Sequence, residues 1–472
     1  MRISILLALC CIIGTTAAQE PWTLEQCVKR AEEKNLAMMN AGLDAELADE
    51  THEQAYWDMA PNLNGTATHG YNYGRVVDRF TNTFATDRVR TNNFYLSSTI
   101  TLFQGLQKQG TIKRTELDAK AALLGIEAAR NNVRLEVVQA FLDVLGLAER
   151  VSAAESQAAS TREQVARTQA LVDAGRVARA DLLSLESQLA QEEYTITDLS
   201  NQRDQRSLAL ARAMQLEPEQ MMSFEIQGPA ISALRIMEPT ASSNEVLANV
   251  LRSNPSFAQA ETRVASAERS IGVARSGSLP SLQLNGSVGT GFSGRDIRVV
   301  GEPVVGAPIF IGATQSGEAV YTPNVSYNTE LTPFKDQLDQ NLNQSIGFTL
   351  NVPLFNNMQN RLAIDQARVQ HERMRNNLVG VRNDLQRNVL DAMVAQRSGY
   401  RAFLAAEKAV EAGTLNNSFA QERYEQGVIT SMELATVKAA LNRTTADMIN
   451  AKYQYLMATK YLEILQGLPV TL

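Results

Sequence analysis

The chain carries one pattern twice, and that duplication constrains its fold more than any single motif does. Residues 22–216 pass through the same order of features as residues 241–468. Asn35 is followed 26 positions later by Pro61-Asn-Leu-Asn-Gly65, and Asn254 is followed 26 positions later by Pro280-Ser-Leu-Gln-Leu-Asn-Gly286, an offset of 219. From Leu102 onward the offset is 252: Leu102-Phe103 matches Leu354-Phe355, Gly175 matches Gly427, Asp181-Leu182 matches Glu433-Leu434, and Gln215-Leu216 matches Gly467-Leu468. The step from 219 to 252 places 33 extra residues between about Gly294 and Asn341. A repeat with one localised insertion means one structural unit used twice, with the insertion read as a loop. The repeats are assigned to 19–240 and 241–472, and the long loop to 294–341.

Each copy reads helix, strand, loop, strand, long helix, tip, helix. The first helical stretch is expected from about Thr23 to Met59, breaking before Pro61, and its counterpart from near Ser242 to just before Pro280. Four segments then switch to period two. Leu63, Gly65 and Ala67 alternate with Asn64, Thr66 and Thr68; Phe94, Leu96, Ile100 and Leu102 with Tyr95, Ser97, Thr99 and Thr101. Leu282, Leu284, Gly286 and Val288 alternate with Gln283, Asn285, Ser287 and Gly289; Ile346, Phe348, Leu350 and Val352 with Gly347, Thr349 and Asn351. One apolar and one small-polar face describes strands wetted on one side. A soluble sandwich would bury the apolar face in a core, whereas a membrane barrel would turn it to lipid. The pattern alone favours the sandwich.

The helices reverse that preference. Gln104–Asp173 and Asn356–Glu425 are each 70 residues without proline, which at 1.5 Å per residue is ~105 Å of helix, far beyond a globular element. Two apolar stripes run along the first: Leu117, Ala121, Leu124, Ala128, Leu135, Val138, Leu142 and Leu145, and beside it Val133, Val137, Ala140, Val144, Leu147 and Val151. Their three- and four-residue steps belong to a coiled coil packed on two sides. The first helical stretch and the last one of the copy, Ala178–Met214, together match the length of the long helix. Stacked end to end, they would run alongside it.

Composition removes several functions. Arg2, the apolar Ile3–Ile13 and the small Thr16-Ala17-Ala18 read as a signal peptide over 1–18, too short for a membrane anchor. Leu9 before Cys10-Cys11 is bulkier than lipidation sites carry, and after cleavage Cys27 would stand alone. A net charge of −7 argues against a nucleic-acid partner. Past the signal no uncharged apolar run of 18 residues occurs, so no transmembrane helix is expected. Gly289-Thr-Gly291-Phe-Ser-Gly294 fits a dinucleotide fingerprint, but a proline- and glycine-rich loop follows instead of the helix a phosphate needs. His52, His69 and His371 have no metal-ligand spacing. No cofactor, metal or catalytic group is expected.

With these features in place, the chain resembles the TolC family of outer-membrane efflux channels over nearly all of its mature length. Trp22-Thr-Leu-Glu25, the Pro61 and Pro280 joints, Val352-Pro-Leu-Phe355 and Leu465-Gln-Gly-Leu-Pro469 carry the likeness together with the duplication. The resemblance implies an α+β membrane protein: a helical coiled-coil barrel joined to a transmembrane β-barrel of four strands per chain in a homotrimer. Residues near 217–243 and the C-terminus would form a belt around its middle. Its function would be a passive exit duct in the outer membrane, reaching into the periplasm. The implied partners are a periplasmic adaptor, an inner-membrane transporter and outer-membrane lipid. Export of whole proteins, or a periplasmic coiled-coil scaffold without a pore, are the alternatives. Phe94, Leu96, Ile100, Leu102, Ile346, Phe348, Leu350 and Val352 would face lipid, and Tyr95, Thr99, Thr101 and Thr349 the lumen. The adaptor would dock on the tips, Gly175-Arg176-Val177 and Gly427-Val428-Ile429. Asp181, Glu433 and Tyr424 match family positions of a periplasmic gate. Ile429 stands where a gate arginine is usual and Thr436 where a second ring carboxylate is, leaving Arg176 or Arg179 to supply the cation.

Overall fold

The protein is described by a computed structural model over residues 21–86, 88–228 and 236–471. The expected signal peptide, and residues 229–235 of the expected belt, lie outside the described residues. The chain divides into two compact units. One gathers the segment up to Asp49 with Leu117–Ala265 and Glu372–Leu472; the other holds Glu50–Glu116 and Ser266–His371.

Two sets of helices supply the first unit, some of them running on into the second. They are α1 (Leu24–Lys34), α2 (Leu36–Trp57), α3 (Gln107–Asp173), α4 (Arg179–Ala213) and the short α5 (Pro218–Met222), then α6 (Ser243–Ser253), α7 (Pro255–Ser276), α9 (Gln359–Glu425) and α10 (Ser431–Leu465); α8 (Phe334–Gln340) belongs to the second unit. Corresponding helices have equal lengths: 11 residues for α1 and α6, 22 for α2 and α7, 67 for α3 and α9, 35 for α4 and α10. The expected single helix from Thr23 to Met59 is two helices, because Asn35 leaves helical geometry at φ −66°, ψ 133°. Its side chain accepts from Ala37 N at 2.8 Å and donates to Ala213 O, the last residue of α4, at 3.0 Å. Asn254 makes the same break before Pro255, accepting from Ser256 N at 3.0 Å. The asparagine side chain stands in for the helical bonds lost at the break, and proline suits the first position of the next helix. The end of α4 thus meets the start of α2, as end-to-end stacking requires.

The two cores of this unit form where helices meet, four in the first, with Tyr455, Leu456 and Ile464 of α10 taking part, and three in the second. Cys27, Val28 and Ala31 of α1 pack with Val133, Val137, Phe141 and Leu142 of α3 and Leu210 and Met214 at the end of α4. Val246 and Val250 of α6 pack with Leu385, Val389 and Met393 of α9 and Leu462 and Leu465 of α10. Phe141, fully buried, lies between the two stripes read from the sequence and belonged to neither. A thiol pKa pushed up to about 12 by burial of Cys27 follows from this packing.

The second unit is built on one antiparallel sheet. Its strands are β1 (Asn64–Asn72), β4 (Val89–Gln104), β5 (Ser281–Ser293) and β8 (Asn343–Asn351), in the spatial order β1-β4-β5-β8. Each copy's hairpin is present, and the β4–β5 pairing joins the two. Short β2 (Val76–Val77) and β3 (Phe84–Ala85) pair in the first connection. The expected loop 294–341 is not irregular: it is a hairpin of β6 (Ile297–Ala313) and β7 (Ala319–Leu331), followed by α8. Its prolines disguised it. Pro303 and Pro308 sit where the register shifts, and a bulge tolerates a residue with no N–H to give the ladder.

Candidate functional site

Two places hold the residues singled out from sequence: the sheet and the helical tips. In the sheet, register puts Ile100, Leu284 and Phe348 in one row across three strands, and Gly65, Leu96 and Val288 in another. This face stays open in the single chain; Ile346, Phe348 and Leu350 are 79%, 70% and 65% exposed. At its lower end two residues, Leu102 and Phe103, oppose Leu282 across a bulge, so Phe103 joins the apolar face although strict alternation excluded it. Val352 lies one residue past β8.

The reverse face is a ladder of hydrogen-bonded side chains. Thr99 donates to Asn285 Oδ1 at 3.0 Å, Asn285 donates to Thr349 at 2.9 Å, and Ser287 meets Ser345 at 2.8 Å. Asn93 donates to Thr68 at 3.0 Å. Tyr95 lies on this face with its ring over Gly289, leaving no room for a Cβ there. That contact, and the similar cover of Gly291 by Phe80, account for two glycines of the apparent dinucleotide fingerprint. The third, Gly294, donates its N–H to Arg90 O at 2.8 Å. The motif is a strand end followed by another strand, with no helix to hold a phosphate.

A buried lock closes the upper end of the sheet. Asp78 accepts from Phe80 N at 2.9 Å, Thr81 N at 3.0 Å and the hydroxyl of Ser293. Gln337 of α8 is fully buried, donating to Ser293 O and Thr332 O at 3.0 and 2.9 Å and accepting from Ser293 N at 2.8 Å. Every amide atom placed there is satisfied, so the network fixes both loops.

At the tips, α3 and α9 end in the same way. Gly175 (φ +72°) and Gly427 (φ +71°) adopt the left-handed conformation. Gly175 N donates to Val172 O and Arg176 N to Leu171 O, both at 2.9 Å; Gly427 N donates to Tyr424 O at 2.9 Å and Val428 N to Arg423 O at 2.8 Å. Both are helix stops of the Schellman type. Tyr424 therefore contributes its carbonyl to the turn. Val428 is exposed, and Val177 and Ile429 are half-buried. Beyond the turn Thr430 caps α10: Glu433 N donates to its hydroxyl at 3.2 Å, and Thr430 N donates to Glu433 Oε2 at 2.9 Å. Glu433 thus has a local task, the reciprocal half of a capping box. Asp181 differs. Its Oδ1 accepts from the hydroxyl of Ser431 at 3.1 Å, tying the first turn of α4 to the first turn of α10. A second tie joins α3 to α9, Arg167 to Glu425 at 2.8 Å. Neither Ser431 nor Arg167 was marked in the sequence, since only the tertiary structure sets the two hairpins side by side.

Behind the tips the interior becomes polar. Thr161, Gln164 and Thr168 of α3 and Lys438 of α10 are buried. Thr161 Oγ1, both amide atoms of Gln164, and Lys438 Nζ lack a hydrogen-bond partner among the described residues. Burial pushes the Lys438 pKa down, and the charge of Glu192 on α4 opposes it. Buried polar groups without partners weaken helix packing, so this end of the hairpins is held less firmly than the cores near α1 and α6.

The family model described as outer membrane efflux protein matches residues 27–214 and 246–468. The chain belongs to the outer membrane efflux protein family. Members of that family are channels of the outer membrane and not enzymes. The two matched stretches fall within residues 22–216 and 241–468. Among solved structures, the Campylobacter jejuni CmeC outer membrane channel aligns at TM-score 0.76 with 16% identity, over 94% of this chain and 85% of that one. The outer membrane protein VceC of Vibrio cholerae gives 0.74 with 14% identity, over 94% and 96%. The Neisseria gonorrhoeae MtrE outer membrane channel gives 0.69 with 17% identity, over 94% and 89%. At such identities these likenesses establish the efflux-protein fold. No curated protein matches the chain by sequence.

Proposed function

We propose that three copies of this chain form a passive exit duct, with a twelve-stranded barrel in the outer membrane and a helical tunnel in the periplasm. The observation that carries this reading is the sheet: four strands, one face open and apolar, the other a Ser/Thr/Asn ladder, and unpaired edges at β1 and β8. Four strands cannot close around a lumen, but twelve can. Pairing β8 of one copy with β1 of the next removes both edges. The apolar face then meets lipid through Phe94, Leu96, Ile100, Leu102, Ile346, Phe348, Leu350 and Val352. Equal helix lengths and corresponding cores support the duplication as the origin of the pseudo-symmetric tunnel wall. Exposed Leu36, Met39, Leu43 and Leu47 on α2 leave an apolar stripe for a neighbouring copy to cover.

The cargo consists of small molecules delivered by an inner-membrane transporter through a periplasmic adaptor docked at Gly175–Val177 and Gly427–Ile429. The Asp181–Ser431 bond belongs to the closed state of the periplasmic gate, with Tyr424 at the turn. Three Glu433 carboxylates form a cation-preferring ring. Ser431 does the work that an arginine would otherwise do for Asp181. Recording from the purified protein in planar bilayers tests the reading. Discrete, cation-preferring conductance steps are expected; a protein that stays soluble after cell breakage and makes no pore would refute it.

A further inference from the structure

The β6–β7 hairpin presents an apolar face that nothing in its own chain covers. Between Tyr321 and Tyr327 β7 alternates, with Tyr321, Val325 and Tyr327 on one side and Thr322, Asn324 and Ser326 on the other. Register adds Val299, Val305 and Phe310 of β6 to the apolar side, opposite Thr329, Val325 and Tyr321. All six apolar side chains are exposed; Val305 reaches 75%. None of the register-paired positions on this side carries a charge. The Phe310 and Tyr321 rings meet edge to face at 5.7 Å, but the hairpin forms a sheet of only two strands. Two strands cannot enclose a core, and an uncovered apolar face of this extent marks an interface.

Charge decides among occupants. An anionic lipid headgroup surface would require cations. Across 297–331 the one cation is Arg298, against Glu302, Glu318 and Glu330, and it is already held by Glu330 at 2.8 Å and Asp336 at 2.9 Å on the opposite side. A second copy requires no charge at all. Resting on the three-copy duct argued above, ring closure brings three identical hairpins to the same end of the assembly.

We propose that the β6–β7 hairpins of neighbouring copies pack apolar face against apolar face, so that the partner of this surface is the same chain. Sheet faces pack about 10 Å apart, and three such ribbons meeting around one axis would enclose a shared core and narrow the outer mouth of the duct. The Asp78–Ser293–Gln337 lock at the root of the hairpin fixes its exit direction, which limits the entropy lost on assembly.

The test uses the full-length protein in its own membrane. Buried Cys27 gives little background, so Tyr321→Cys and, on the opposite side, Asn324→Cys are compared during copper–phenanthroline oxidation. Covalent dimers from Tyr321→Cys at ten-fold or more over Asn324→Cys are expected, with Val325→Cys repeating the result should Tyr321→Cys fold poorly. Equal or absent cross-linking, in a protein whose mass in detergent is still that of a trimer, overturns the hairpin interface and leaves the duct standing. Quenching by lipid-borne spin labels of a fluorophore attached to the thiol of the Tyr321→Cys variant also overturns it. A monomeric mass sinks the duct reading and this inference together.

Discussion

Glu433 shows how one side chain can serve both structure and function. It closes the Thr430 capping box and is the proposed ring carboxylate. Glutamine can accept the same backbone hydrogen bond, so Glu433→Gln separates the roles. Its thermal unfolding should match the wild type, while the cation preference of single channels falls. Glu433→Ala removes both and should cost about 1 kcal/mol of helix-end stability. Unchanged selectivity in the glutamine variant would place the ring elsewhere. Lys438 is a second residue with a readable energy. Burial lowers its pKa, so the folded state disfavours the charged form relative to the unfolded chain. Below the unfolded-state value the unfolded chain gains by taking up the proton, and folding is penalised there. Lys438→Met should therefore raise the unfolding temperature at pH 7 and have little effect near pH 11; a lower unfolding temperature at pH 7 would mean the ammonium has a partner in the assembled protein. Cys27 completes the set. Lifted to about 12, it should resist maleimide at pH 8 until the protein is unfolded, because the thiolate is the reactive form. The positions of Glu433 and Asp181 were visible in the repeat. Of their partners, Thr430 stands at the Thr-x-x-Glu spacing of a capping box, whereas nothing in the sequence marks Ser431 as meeting a residue 250 positions away.

The helical tips and the inserted hairpin pose the questions at the scale of elements. Gly427 holds φ at +71° with open space around it, so Gly427→Ala tests conformation without steric overlap. A left-handed alanine costs about 1–2 kcal/mol. Faster amide exchange over the first turn of α10 is expected, with the cores near α6 unaffected. The inserted hairpin should be the segment cut first when protease is added to intact cells; cleavage confined to permeabilised cells would reverse the topology. The breaks at Asn35 and Asn254 went unread although both asparagines anchor the repeat offset. At Asn254 the following Pro255 disfavours helical geometry, whereas at Asn35 no such residue follows and the tertiary contact with the carbonyl of Ala213, at the end of α4, holds the break.

For the whole molecule, the decisive contrast lies between adjacent residues of β8. Phe348→Arg should lower the stability of the membrane-inserted protein by about 2–4 kcal/mol, and Thr349→Arg by much less. Equal costs, measured by urea titration in lipid vesicles, would mean that the sheet does not divide lipid from water. Thr349 sits in the Thr99–Asn285 ladder, so its replacement disturbs hydrogen bonds while its neighbour's replacement disturbs the lipid face.

Local periodicity sets the elements: period two in the strands, three-and-four steps in the long helices, glycine at the tips. These depend on side chains a few residues apart, and the sequence alone determined them, with the family. Tertiary structure alone decided the pairing of β4 with β5, the meeting of Asp181 with Ser431, the bulge that brings Phe103 onto the apolar face, and the hairpin hidden in the insertion. Each depends on groups up to 250 positions apart or on a ladder bond that proline cannot make. Local pattern carries no record of either, because the energy resides in contacts that exist only once the chain has closed on itself.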